Sequence, residues 1–131
     1  MANVLIVDDD VDGCKPLVRL LQYVGHRPFF VHDGQAALSL LDQVRPDMIL
    51  LDVMMPGLNG IEVLKTIRSH PVHKDLPVVV YSALSDSQTR DSAIQNGAQS
   101  FLVKSKASFS DIQSCIETHL GGAGGAADAA T

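Results

Sequence analysis

Three short apolar runs in this chain end on charge. Val4-Leu5-Ile6-Val7 ends on Asp8 and Asp9, Met48-Ile49-Leu50-Leu51 on Asp52, and Phe101-Leu102-Val103 on Lys104. Apolar runs of this length, bounded by turn signals, read as buried strands of a parallel sheet. In an open parallel sheet, ligands gather outside the carboxyl ends of the strands. Carboxylates converging there repel one another unless a cation sits between them. Lys104 is placed to hold an anion beside that cation. The pattern fits a metal-assisted phosphoryl site.

A chain of 131 residues predicts one domain with a real core. No apolar run approaches the ~20 residues that a membrane-spanning helix needs. No basic start precedes a long apolar stretch, so we expect no signal peptide and a cytoplasmic protein with no membrane contact. A formal net charge of −5 argues against a nucleic-acid partner. Cys14 and Cys115 lack metal-ligand spacing, lie in predicted helices and read as buried or half-buried free thiols. The five histidines, at 26, 32, 70, 73 and 119, are scattered and show no metal spacing.

Strands are expected near 3–8, 28–31, 48–52, 78–82 and 100–103, with helices near 12–24, 34–44, 60–70, 86–96 and 107–120. This strand–helix alternation predicts a parallel sheet covered on both faces. Asp33 is placed to cap the second helix, whose Ala37, Leu38, Leu40 and Leu41 recur at helical spacing. Gly97 is placed to end the fourth helix. Pro16 is tolerated only in a first helical turn, which favours a late start for the first helix. Residues 1–120 form the predicted domain, and the Gly/Ala-rich residues 121–131 a flexible tail.

Asp8-Asp9-Asp10-Val11-Asp12-Gly13 invites three readings. A calcium loop would need a glutamate at its twelfth position, which is Arg19, and would contain Pro16. That reading fails. Asp8 to Val11 also resembles the opening motif of haloacid-dehalogenase phosphatases, with Asp8 as nucleophile and Asp10 as acid/base. It leaves Asp52 without a role and remains a minor alternative. The third reading uses every residue: Asp8-Asp9; Asp52 within Leu51 to Gly60, a segment that includes Met54, Met55, Pro56 and Gly57; Ser82-Ala83 after Val78 to Tyr81; and Lys104. These motifs, in order at the ends of four predicted strands, resemble the receiver domain of two-component response regulators over roughly residues 3–120.

The resemblance implies a doubly wound (βα)5, flavodoxin-like α/β fold with a five-stranded parallel sheet. It implies that Asp52 accepts a phosphoryl group from a histidine kinase or histidine phosphotransfer protein. The chain would then be a phosphoacceptor that catalyses its own phosphorylation and slow dephosphorylation, rather than an enzyme in the ordinary sense. Asp9 would hold Mg²⁺ directly and Asp8 through water, with Asp52 and the Met54 backbone carbonyl completing the set. Lys104 would clamp the phosphoryl group, Ser82 would donate a switch hydrogen bond to it, and Phe101 would repack in response. The surface of helix 4, strand 5 and helix 5 would then change toward an unknown effector protein. A receiver-like interaction module that is never phosphorylated is the other alternative.

Bland readings stand beside these. Asp10 is best read as a cap or a solvated charge, Ser82 could simply cap helix 4, and Phe101 could be plain core. Met54 and Met55 could be packing residues, and Gly57 and Gly60 serve the loop backbone after Asp52. Two departures from the family matter. Ser105 replaces the usual proline after Lys104, so a trans bond is expected there. Met54 and Leu84, two residues after Asp52 and Ser82, cannot orient a water by hydrogen bonding, which predicts slow hydrolysis of the phosphorylated form. No output domain follows, so the signal is expected to leave through a partner.

Overall fold

The computed structural model describes residues 2–54 and 59–129. Met55, Pro56 and Gly57 of the Asp52 motif lie outside the described residues, as do residues 130–131 of the expected tail. Strands β1 (Asn3–Val7), β2 (Arg27–Val31), β3 (Met48–Leu51), β4 (Val78–Ser82) and β5 (Ser100–Val103) alternate with helices. These are α1 (Lys15–Tyr23), α2 (Gly34–Val44), α3 (Gly60–Ser69), α4 (Ser87–Gln95) and α5 (Phe109–Ala129). The sheet is parallel throughout, in the order β2-β1-β3-β4-β5. The expected doubly wound α/β fold is therefore the fold observed.

Alternation along the strands divides the core. Leu5, Val7, Ile49, Leu51, Val78 and Val80 pack on one face with Ala37 and Leu41 of α2, Val63, Leu64 and Ile67 of α3, and Ala93 of α4. Val4, Ile6, Met48, Leu50 and Val79 face the other way, onto Leu17 and Leu21 of α1 and Ile112 and Ile116 of α5. Near-continuous apolar strands are needed because both faces are covered. Each fully buried leucine or isoleucine here contributes roughly 1.5–3 kcal/mol by leaving water.

Several local signals act as expected. The Asp33 side chain accepts the Ala36 N–H at the start of α2. Gly97 has φ +105, a left-handed conformation that glycine adopts without strain. Pro16 sits in the first turn of α1, where its missing N–H costs nothing.

Three helix bounds differ from expectation by more than one residue. Helix α1 starts at Lys15, later than residue 12, because residues 11–14 form turns and Asp10 accepts the Gly13 N–H. Helix α5 starts at Phe109, later than 107, because Ser108 and Asp111 cap reciprocally: Ser108 Oγ accepts the Asp111 N–H and Asp111 Oδ2 accepts the Ser108 N–H. The same helix continues past residue 120 to Ala129. No proline interrupts the run, and alanine at 123, 126, 127 and 129 favours a helix while Gly121, Gly122, Gly124 and Gly125 oppose it. Among the described residues there is no cis peptide bond, so the Lys104–Ser105 bond is trans as expected. No helix among them is long and apolar enough to cross a membrane.

Gly60 opens α3 against the backbone that carries Asp52. A Cβ at Gly60 would lie 2.3 Å from the Asp52 carbonyl oxygen and 2.6 Å from the Val53 Cα. Glycine to alanine in an ordinary helix stabilises by up to ~1 kcal/mol. Here backbone must move instead, so we predict that Gly60→Ala destabilises by about 2 kcal/mol or more. Urea unfolding measures the sign directly.

Candidate functional site: a carboxylate cluster at the sheet's switch point

The strand order reverses between β1 and β3, whose chains continue to opposite faces of the sheet, the place where open α/β sheets bind ligands. Asp8 leaves β1 there and Asp52 leaves β3, and the Asp52 N–H still donates to the Val7 carbonyl. Both carboxylates are almost fully buried, at 2% and 5% exposure, while Asp9 beside them is exposed. Oxygens of Asp8, Asp9 and Asp52 lie within 4.8 Å of one another.

Lys104 enters from the end of β5, tethered by its backbone N–H to the Ser82 carbonyl. Its ammonium stands 2.5 Å from Asp8 Oδ2 and 3.4 Å from Asp52 Oδ2. One ammonium thus bridges two buried carboxylates, with a third carboxylate at the rim. Burial alone would lower the Lys104 pKa, but the Asp8 hydrogen bond and the Asp52 charge outweigh it and hold the ammonium charged. Burial pushes the Asp52 carboxyl above its ordinary range, and the Asp8 charge adds to the rise. The Met54 N–H, 3.1 Å from Asp52 Oδ1, and Lys104 offset only part of it. The cluster carries more negative charge than Lys104 balances. Its all-carboxylate oxygen donors suit a hard divalent cation such as Mg²⁺.

Ser82, at the end of β4, is fully buried, and its Oγ accepts the Leu84 N–H at 3.2 Å. Phe101 pairs with Val80 in the sheet register and is half-buried against the same core face as Leu84. The Met54 side chain is exposed, and its described contact to the cluster is the N–H just given. Asp10 stays exposed and caps the turn through Gly13.

Sequence reasoning missed two neighbours. The Cys14 thiol donates to Asp8 Oδ2 at 3.2 Å. Burial, and then the Asp8 charge, push that thiol up to about 12, so it remains a protonated donor at neutral pH. The Tyr81 ring lies 5.7 Å from the Lys104 ammonium, within cation–π range. No local signal pointed to Cys14, which stands at the N-cap of α1 without a side-chain cap bond and meets Asp8 only through tertiary packing. The histidines also needed correction: His70 and His73 converge with Asp42, away from this cluster.

A parallel doubly wound sheet with carboxylates at its switch point and a lysine beside them places this chain among the open α/β folds that gather ligands at the carboxyl ends of their strands. The sequence matches the family described as "Response regulator receiver domain" over residues 4–117, and the chain belongs to that family. It is 39% identical over 102 residues to the response regulator MprA of Mycobacterium avium (strain 104). That match takes in 78% of this chain and 44% of that protein, so the chain spans less than half the length of this relative. A putative response regulator from Chloroflexus aurantiacus J-10-fl superposes with a TM-score of 0.86 at 28% identity, covering 91% of this chain and 97% of that one. The Mn(2+)-bound form of the response regulator Rcp1 superposes with a TM-score of 0.77 at 26% identity, covering 90% and 93%. Membership in this family leaves the haloacid-dehalogenase reading without support.

The sign of the Asp52 effect on stability follows from its raised pKa. Between the ordinary carboxylate value of 3.8 and the folded value, the native state binds more protons than the unfolded state, so stability falls as pH rises through that window. Above the ordinary carboxylate value Asp52 therefore costs stability. Asp52→Asn is therefore predicted to raise Tm at pH 7. The gain should shrink as pH falls through the folded Asp52 pKa. Added Mg²⁺ should stabilise the wild type more than the variant, and scanning calorimetry with and without Mg²⁺ checks both.

Proposed function

We propose that this receiver domain is a phosphorylation-dependent switch that takes a phosphoryl group onto Asp52 from a histidine kinase or histidine phosphotransfer protein. The observation that carries this reading is the Lys104 bridge between buried Asp8 and Asp52, at the end of the sheet where ligands bind. Asp8, Asp9, Asp52 and the Met54 backbone carbonyl would hold Mg²⁺. When bound, Mg²⁺ supplies the positive charge that neutralises the transferring phosphoryl oxygens.

The chain's own residues do the rest. Asp52 presents a carboxylate oxygen that forms the new P–O bond as the P–N bond to the donor imidazole breaks, with the electron pair returning to that imidazole. Lys104 lies within reach of the same oxygen and moves its charge onto the phosphoryl group. Ser82 accepts from the Leu84 N–H through its oxygen and keeps its own proton to donate. A phosphoryl oxygen on Asp52 would therefore draw Leu84 inward through a single hydroxyl. Leu84 and Phe101 pack on one core face, so this movement favours a repacked Phe101 and biases the population at the surface of α4, β5 and α5. An effector protein reads that surface.

The net charge of −5 disfavours nucleic acid as a direct partner of this segment, and we place the protein in the cytoplasm. We place the receiver boundary at residue 120. Leu120 packs against the core, and the Gly/Ala-rich residues 121–131 have little apolar area to bury as a tail.

Incubation with acetyl phosphate and Mg²⁺ is predicted to add one phosphoryl mass to the wild type and none to Asp52→Ala. No added mass in the wild type would instead support an interaction module that works unphosphorylated. Label that persists in Asp52→Ala but vanishes in Asp8→Asn would favour Asp8 as the nucleophile. Met54 and Leu84 offer no side-chain hydrogen bond to an attacking water. The phosphorylated form should accordingly lose its label over minutes or longer, and a half-life of seconds would contradict that.

A further inference from the structure

At the opposite end of the sheet from Asp52, where β3 begins, the last turn of α2 and the end of α3 bring together Asp42, His70 and His73. A potential ligand atom from each lies within 4.8 Å of the others. His73 is buried at 8% exposure, and its Nε2 stands 2.9 Å from Asp42 Oδ1. The His70 and His73 rings have their centroids 4.5 Å apart. We propose that these three side chains form a second metal site, for a borderline divalent cation such as Zn²⁺.

Donor chemistry, backbone geometry and electrostatics support the assignment. Two imidazoles and a carboxylate form a donor set that favours zinc and its neighbours over Mg²⁺. Because this set differs from the carboxylates around Asp52, the two sites select different ions. His70 and His73 are held close by a short segment, His70-Pro71-Val72-His73, in which proline fixes one backbone angle. Asp42 lies in the last turn of α2 and His70 is the C-cap of α3, so the negative ends of two helix dipoles point toward the cation. The charge of Arg45, beside Asp42, works against this.

A tetrahedral zinc with bonds of about 2.0–2.1 Å keeps its ligand atoms roughly 3.3 Å apart. Asp42 and His73 already meet that spacing, and side-chain rotation of His70 closes the rest. His70 Nδ1 accepts the Val72 N–H at 3.1 Å, so ligation through Nε2 would keep that bond and ligation through Nδ1 would give it up. The exposed side of Asp42 leaves a fourth position for water.

The test is calorimetric titration of the full chain with ZnCl₂ in saturating Mg²⁺, which keeps the Asp52 cluster occupied. One Zn²⁺ per chain is expected, with affinity reduced about tenfold or more in both His70→Ala and Asp42→Asn, since each loses one of three ligands. Thermal unfolding of both variants without metal verifies their folding, and neither substitution opens the buried core as loss of His73 would. Co²⁺ in place of Zn²⁺ should give the visible absorption of a four-coordinate site. Absence of binding in saturating Mg²⁺, or binding unchanged in both variants, overturns the proposal.

Discussion

The ammonium of Lys104, standing between the buried carboxylates of Asp8 and Asp52, is the contact on which the site depends. Two carboxylates cannot be taken out of water side by side without a counter-charge. The parallel sheet brings them together because β1 and β3 are neighbours at the point where the strand order reverses. Lys104 arrives from β5, the sheet's far edge, and crosses the end of β4 to reach them. The apolar core on both faces of the sheet holds these strand ends in register, so core packing and site electrostatics are linked. One positive charge against three carboxylates leaves a deficit, and the Asp52 carboxyl is raised first by its burial and further by the Asp8 charge.

That deficit also gives the site its capacity for exchange. A cluster fully neutralised by the protein would gain little from an added cation. This one gains, since a bound cation relieves repulsion that folding imposed. In the proposed switch Ser82 would couple the result to the rest of the fold, because its oxygen already holds the Leu84 N–H and no acceptor for its proton stands among the described residues. The Tyr81 ring and the Cys14 thiol surround the same charges from β4 and from the start of α1.

Much of this was legible in the chain. Apolar runs ending on Asp8, Asp52 and Lys104 located three strands and the site at their ends, since a buried parallel strand has few other ways to be written. Asp33, Pro16 and Gly97 marked helix ends because each acts through local backbone geometry. The start of α5 was legible too, in Ser108 and Asp111, but went unread. Other features depended on contacts between distant segments, which no local pattern encodes. Cys14 reaches Asp8 only once α1 packs on the sheet, and Asp42 meets His70 and His73 only when α2 and α3 lie side by side. Histidine spacing alone showed nothing, because the carboxylate that completes the trio lies 28 residues before the nearer histidine.

The central claim is that the phosphoryl group resides on the Asp52 carboxylate, and chemical trapping tests it most directly. An acyl phosphate is reduced by borohydride, which converts the aspartate that carried it into homoserine. After incubation with a phosphodonor and Mg²⁺, followed by borohydride, tandem mass spectrometry should find homoserine at position 52 and unmodified aspartate at positions 8 and 9. Homoserine at position 8, or a phosphoryl group recovered on a histidine with position 52 intact, would contradict the account.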